Sequence, residues 1–290
     1  MLKCLEALKD VVKKCIPDVL YLKMQFKKKL GYSLNLKDPQ TFDEKLQWLK
    51  LHDRNPLYTT LVDKYAVKKW VANKIGPQYV VPTFGVWEKF DDIDFSKLPD
   101  RFVLKCTHDS GGVVVVKDKS QLDMDAARRK ISDSLRKNYY WANREWPYKN
   151  VPPRVIAEEY LEDQRNGELR DYKFYTFGGK PHFLLIAANR HKETGLTFDY
   201  FDMEGMHIDL SDVGIPNASG TPPLLPSKFD EMKRLSMVLA DGIPHVRVDF
   251  FDVNGRIYFG EMTFYDYAGY MNAVPQNWEL EWGRLIKISV

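Results

Sequence analysis

The chain has 290 residues, 44% of them hydrophobic and 29% charged, with a formal net charge of +3 and a pI near 8.5. This length exceeds the roughly 150-residue prior for one domain, so it predicts two lobes or one large α/β body. The charge is too weakly basic to argue for nucleic acid, yet it is compatible with an anionic small-molecule substrate.

The first thirty residues carry lysine every few positions and no uninterrupted apolar core, which argues against a secretory signal or a membrane span. Leu5, Leu8, Val11, Val12 and Cys15 recur at helical spacing, with Lys3, Lys13 and Lys14 elsewhere on the helix. This reads as a helix packed on the body with a solvated lysine face; peripheral contact with an anionic membrane surface is the alternative. Cys4, Cys15 and Cys106 are odd in number and lack CxxC spacing, so neither a disulfide framework nor a zinc site is expected, and a reducing cytoplasm fits best. The sequon "NAS" at 217–219 is short enough to arise by chance and carries no weight.

Next comes "TFDEKLQWLKL" (41–51), in which Thr41 three residues before Glu44 forms a capping box and Leu46 and Leu49 share a side. "YTTLVDKYAVKKWVANKIG" (58–76) predicts a second helix, stopped by Gly76 with Pro77 beyond it. β-rich runs follow at "YVVPTFGVW", "RFVLKCT" and "GVVVVKD"; "MDAARRKISDSLRKNYYW" is helical in pattern. Strands return with "RVIAEEYLED", "DYKFYTFGGKPHFLLIAANR" and "HVRVDFFDVNGRIYFGEM", and "IPNASGTPPLLPS" is the clear loop. The order predicts an α+β fold with two sheets facing across a cleft. Its expected divisions are a helical region over 1–60 and two further parts over 61–155 and 156–290.

"RFVLKCTHDSGGVVVVKD" sets Lys105 at a strand end before a Ser-Gly-Gly turn. An ammonium beside backbone free of side chains is one way to hold a phosphate, although a plain hairpin with a surface lysine reads equally well. The stretch has neither GxxxxGK[ST] nor GxGxxG, which excludes a P-loop and a Rossmann fingerprint. In "RVIAEEYLEDQRNGELRDYKFYTF", Glu158, Glu159, Glu162 and Asp163 directly follow an apolar strand. They suit an adenine hinge whose carboxylate takes ribose hydroxyls, or simply a solvated acidic loop.

"RVDFFDVNGRIYFGEMT" (247–263) admits two registers. A two-residue type I′ turn at Asn254-Gly255 pairs Val253 with Arg256 and would set Asp249 and Glu261 on opposite faces. A type I turn with Gly255 left-handed in a G1 bulge pairs Asp252 with Arg256 and Arg247 with Glu261. Because only the second leaves one face nearly apolar (Val246, Val248, Phe250, Tyr258, Gly260, Met262), it is the expected register. His245, Arg247, Asp249, Glu261 and Thr263 then share the other face, suited to Mg²⁺ and a nucleoside triphosphate or to a plain set of surface ion pairs.

Together and in order, these motifs resemble the ATP-grasp enzymes, and more closely the TupA-like ATP-grasp group associated with teichuronopeptide and surface-polysaccharide biosynthesis. The closer resemblance runs from "LNLKDPQTFDEKLQWLKLHDRNPLYTTLVDKYAVKKWV" through "DYKFYTFGGKP" to "RVDFFDVNGRIYFGEMTFY", most of residues 34–275. It implies an ATP-grasp fold, two α/β lobes with antiparallel sheets clasping ATP, plus the helical N-terminal region. It also implies that Lys64 and Lys105 contact ATP phosphates and that Ser110, Gly111 and Gly112 belong to the loop closing over them. Glu158, Glu159, Tyr160 and Leu161 would form the adenine hinge, with Asp171 on the ribose. Arg247 and Arg190 would face the γ-phosphate and the acyl phosphate, with Lys173 as a further catalytic group, and Asp249 and Glu261 would hold Mg²⁺. Many relatives end their metal motif Glu-x-Asn, whereas Glu261-Met262-Thr263 stands here, so Thr263 is the weaker third ligand.

The implied chemistry is transfer of the ATP γ-phosphoryl to a substrate carboxylate, followed by amine attack on the acyl phosphate. The implied substrates are a uronic acid, on a nucleotide sugar or glycan, and an amino acid or small amine. A sugar phosphotransferase of the same fold is the nearest alternative, and a glycosyltransferase or sugar-binding protein the more distant one. Tyr265, Tyr267 and Tyr270 are sugar-stacking candidates that read equally well as core.

Overall fold

The structure, a computed structural model, describes residues 13–190, 195–212, 214–218, 220–271, 273–275 and 277–288. Cys4, Leu5, Leu8, Val11 and Val12 of the expected first helix, and Ser219 of the sequon, lie outside the described residues. Helix α1 (Asp18–Leu30) ends at a left-handed Gly31. In α2 (Phe42–His52) both capping-box bonds form between Thr41 and Glu44, as expected.

The helix expected over residues 58–76 is two, α3 (Leu57–Val62) and α4 (Ala66–Ile75), the latter closed by Gly76 as expected. Asp63 breaks it: its backbone is extended, and its Oδ1 accepts from Tyr65 N (2.9 Å) and Ala66 N (3.3 Å), capping α4. The break is fixed from outside by Arg154 on Asp63 Oδ2 (2.5 Å) and by Lys64 N on Thr107 O (3.0 Å).

Strands β1 (Thr83–Trp87), β2 (Phe102–Cys106), β3 (Val113–Val116) and β4 (Val155–Glu159) form an antiparallel sheet in the order β1-β4-β2-β3. Helix α5 (Met124–Leu135) covers it through Ala127 and Ile131 and is followed by the short α6 (Tyr140–Asn143). The later strands are β5 (Asp171–Phe177), β6 (Lys180–Ala188), β7 (Thr197–Phe201), β8 (His207–Ile208), β9 (Ser211–Asp212), β10 (His245–Val253), β11 (Arg256–Thr263) and β12 (Ala273–Val274). Six of them make the larger antiparallel sheet, β11-β10-β5-β6-β7-β8, while β12 pairs with β9. Two sheets and flanking helices give the expected α+β class.

Two helices absent from the sequence expectation complete the body, α7 (Phe229–Ala240) and α8 (Asn277–Leu285). Met232, Leu235 and Leu239 of α7 are buried at spacings of three and four, the stripe of a helix lying on a sheet. One core joins Phe42 and Leu46 of α2, Leu61 of α3 and Val71 of α4 to Phe174, Val246 and Val248 of the larger sheet. Trp282 of α8 is buried against Phe42 with ring centroids 5.3 Å apart. Gly283 beside it lies so close to the chain at 40–41 that an added Cβ would collide with the Gln40 carbonyl and sit 2.9 Å from the Thr41 carbonyl carbon. Gly283→Ala should therefore cost about 1–3 kcal/mol, read as a lower urea midpoint at unchanged m. No helix of the described residues is long and apolar enough to cross a membrane.

The β10–β11 register corrects the sequence reading. Asn254 and Gly255 both have positive φ (55° and 88°) and Val253 pairs with Arg256, so the turn is type I′ and Gly255 is a turn residue, not a bulge residue. The extra residue sits farther along: Phe250 pairs with Phe259 but Val248 with Met262, leaving Gly260 and Glu261 opposite Asp249. Ile257, Phe259 and Met262 thereby all reach the core, where they are 3%, 4% and 2% exposed. Beyond the bulge Arg247 pairs with Thr263, so the shared face expected for Arg247, Asp249, Glu261 and Thr263 exists, reached by a different route. At Gly260 an added Cβ would stand 3.1 Å from Asp249 O, so glycine gives the backbone room to cross.

Candidate functional site

Between the two sheets lies a cleft of about 340 Å³, within the size range of small-molecule sites. Lys64, Lys68, Lys105, Ser110, Gly111 and Glu158 line it from the side of the smaller sheet. Asp171, Lys173, Arg190, Asp249 and Glu261 line it from the larger one, with Val67, Val80, Val81, Phe251 and Phe259 between them. One end is thus cationic, the opposite wall carries acids, and the apolar part can take a flat ring.

Glu158 organises the cationic end. It lies in β4 and pairs with Lys105 of β2 and Lys68 of α4, each at 2.6 Å. Burial pushes its carboxyl up, but the two ammonium groups outweigh that and hold it below the usual carboxylate range. Its carboxylate therefore fixes two lysines near the end of the strand. Lys64 joins them because the break at Asp63 turns it toward the loop, where its Nζ donates to Asp109 O. Lys68, on α4, joins this wall without having been among the residues expected from the sequence.

The loop "THDSGG" is held rigidly at its base. His108 is 2% exposed and its Nε2 lies 3.2 Å from Ser134 O and 3.0 Å from Lys137 O, at the end of α5. Ser134 Oγ donates to Asp109 Oδ2, and Tyr139 forms a side-chain hydrogen bond with Ser110. Gly111 turns with φ 113°, while Gly112 packs so tightly that an added Cβ would stand 2.8 Å from Cys106 Cβ. Gly112 does not line the cleft but sets where Ser110 and Gly111 lie. Gly112→Ala should shift that loop and cost about 1–3 kcal/mol of folding stability, read as a lower urea midpoint.

On the larger sheet the charges form one network. Arg247 Nε and Nη2 reach Asp249 Oδ1 and Oδ2 at 2.7 and 2.8 Å, and Nη2 also meets Thr263 Oγ1 (3.1 Å) and Glu261 Oε1 (3.3 Å). Lys173 Nζ lies 2.6 Å from Asp249 Oδ2. Burial would raise the Asp249 carboxyl, but Arg247 and then Lys173 outweigh it and hold it ionised. Three side-chain oxygens, from Asp249, Glu261 and Thr263, thus converge on a point already occupied by positive charge. All are hard oxygen donors, so the set fits Mg²⁺. Among the described residues no group of three His, Cys, Asp or Glu could hold a metal ion.

The remaining expected residues are spread more widely. Asp171 pairs with Arg190 (2.8 Å) and lies 3.9 Å from Lys173, at the rim. Glu159, the last residue of β4, and Tyr160 and Leu161 beyond it do not line the cleft; Arg101 lies 4.4 Å over the Tyr160 ring. Arg247 and Thr263 stand behind the lining, reaching it through Asp249 and Glu261. Of the stacking candidates, Tyr265 and Tyr270 are 3% and 8% exposed and belong to the core, because they enclose the buried Lys50; Tyr267 is 40% exposed.

A family model described as TupA-like ATPgrasp matches residues 44–287. Among solved structures, the chain is similar to a D-alanine–D-alanine ligase from Bacillus anthracis complexed with ATP: 16% identity, 71% of this chain and 55% of that one, TM-score 0.42. It is similar also to the D-alanine–D-alanine ligase from Helicobacter pylori: 13% identity, 84% of this chain and 69% of that one, TM-score 0.45. A third likeness is to the ATP-grasp ligase PsnB complexed with minimal precursor: 11% identity, 79% and 61% coverage, TM-score 0.44. The chain spans 55% and 57% of the length of the first two structures it matches, and no curated protein matches it.

Proposed function

Because the chain belongs to the TupA-like ATP-grasp family, we propose that it is an ATP-dependent carboxylate–amine ligase that forms an amide through an acyl phosphate. The observation that carries this reading is the opposition, across one cleft, of a lysine-and-glycine wall to an Asp249–Glu261 wall backed by Arg247. Lys64, Lys105 and the Ser110-Gly111 backbone would bind the phosphates, with Lys68 and Lys105 steadied by Glu158. The apolar slot of Val80, Val81, Phe251 and Phe259 would take the adenine, and Asp171 the ribose. Asp249, Glu261 and Thr263 would hold Mg²⁺, which when bound supplies charge neutralisation for the transferring phosphoryl group.

In this reading the substrate carboxylate oxygen attacks the γ-phosphorus and ADP leaves. Arg247, Arg190 and Lys173 balance the charge of the acyl phosphate. An amine then attacks the acyl carbon, and phosphate and a proton depart. The family resemblance supports a uronic acid, on a nucleotide sugar or glycan, as the carboxylate and an amino acid or small amine as its partner, in capsule or cell-wall polysaccharide biosynthesis. Work in a reducing cytoplasm agrees with the free Cys15 and Cys106. Val19, Leu20 and Met24, half-exposed on α1 among Lys23, Lys27 and Lys28, support peripheral contact with an anionic membrane.

A coupled ADP-release screen crossing UDP-uronic acids with amines tests the reading. ADP release that requires both a carboxylate and an amine is the expected result. A phosphorylated sugar formed without amine would instead establish a phosphotransferase.

A further inference from the structure

The three side chains proposed to hold Mg²⁺ do not merely lie near Arg247; they share one nitrogen of it. Nη2 is 2.8 Å from Asp249 Oδ2, 3.1 Å from Thr263 Oγ1 and 3.3 Å from Glu261 Oε1. A divalent cation and this guanidinium compete for the same lone pairs, so binding of one must loosen the other. Only Nη1 is engaged elsewhere: it donates to Asp266 Oδ1.

Asp266 is 3% exposed, and its other oxygen accepts from the Tyr175 hydroxyl of β5. The backbone after it is left-handed at Tyr267 (φ 47°), Ala268 (φ 55°) and Gly269 (φ 66°), a conformation costing about 1–3 kcal/mol at each non-glycine residue. That turn is held from α2. Gln47 Nε2 donates to Ala268 O (3.1 Å) and Gly269 O (2.6 Å), and the fully buried Lys50 donates to Ala268 O (2.7 Å). Asp266 is thus anchored independently of the oxygens that a cation would take.

We propose that Asp266 is the positioning residue of Arg247: it retains the guanidinium through Nη1 when Asp249, Glu261 and Thr263 turn to a divalent cation, leaving Nη2 and Nε to grip the terminal phosphate of the nucleotide. This rests on the ATP-grasp reading above. A residue with a merely structural role would weaken all nucleotides alike, whereas this role concerns only the γ-phosphate.

The test is calorimetric titration, at saturating MgCl₂, of ADP and of the non-hydrolysable ATP analogue adenylyl imidodiphosphate. The wild-type protein should prefer the analogue. In Asp266→Asn the affinity for ADP should persist while the preference falls roughly tenfold or more, the value of a hydrogen bond between charged groups. Asp266→Glu should restore part of it, and Tyr175→Phe should lose a smaller part. An unchanged preference in Asp266→Asn overturns the inference; if that variant does not fold, an unchanged preference in Tyr175→Phe does so. A wild-type protein that binds neither nucleotide overturns the ATP-grasp reading itself, and the inference with it.

Discussion

Asp249→Ala should reduce ADP release at least roughly 10³-fold, which corresponds to about 4 kcal/mol of lost transition-state stabilisation. Asp249 is 2% exposed and joins Arg247 to Lys173 as well as facing the proposed metal position. Its removal leaves the buried Arg247 and the half-buried Lys173 short of a counter-charge, so folding stability should fall as well, by roughly 3–5 kcal/mol for a broken buried pair. Asp266 remains on Arg247 and keeps the loss toward the lower figure. Asp249→Asn separates the two effects: it preserves shape and one acceptor oxygen, so it should unfold much closer to the wild type while remaining as inactive as alanine. Urea unfolding and ADP release measured on both variants check this. Release at the wild-type rate from either would remove Asp249 from the site.

The second large effect is acid sensitivity at His245. This residue is 1% exposed at the start of β10, its Nδ1–H donates to Thr176 O (2.9 Å), and Phe42 and Phe177 rings stand 5.0 and 4.7 Å away. Among the described residues its Nε2 has no hydrogen-bond partner. Burial above all, with Arg247 nearby, depresses its pKa from 6.5 to about 3. Between those two values the unfolded chain binds a proton that the folded chain refuses, so stability falls as pH drops. The contribution is fully present above pH 6.5, and roughly 2 kcal/mol of it should be gone by pH 5. Urea unfolding at pH 7 and pH 5 should show His245→Phe losing about 2 kcal/mol less than the wild type over that interval. Equal losses would mean that His245 is not the buried titrating group.

Much of the local structure around the candidate site was legible because its determinants are local. The capping box of α2, the glycine stop of α4 and the Ser-Gly-Gly turn between β2 and β3 are all set by near neighbours, and each formed as read. What failed depended on partners distant in sequence. Helical periodicity runs unbroken through residues 58–76, and Thr107 and Arg154, far along the chain, fix the break that Asp63 caps. The hairpin register did have a local sign. Apolar residues fall at 257, 259 and 262, a pattern of two that slips by one beside Gly260, which is the trace of a bulge. Favouring the most uniform face over that slip led to the wrong turn type. Nothing in the sequence neighbourhood of Lys68 or Tyr139 marks them; Glu158 and Ser110, distant along the chain, give them their places.

The bulge at Gly260 also makes the orientation of the site a matter of strand choice during folding. A hairpin zipping outward from the Asn254-Gly255 turn meets regular pairing as far as Phe250–Phe259, and there two continuations diverge. Continuing without the slip would bury Glu261 and Thr263 and expose Met262; taking it buries Met262 and releases the two polar residues into the cleft. The 2%-exposed Met262 therefore acts as the ballast that selects the productive branch, and a charge placed there would disarm the site without touching any substrate.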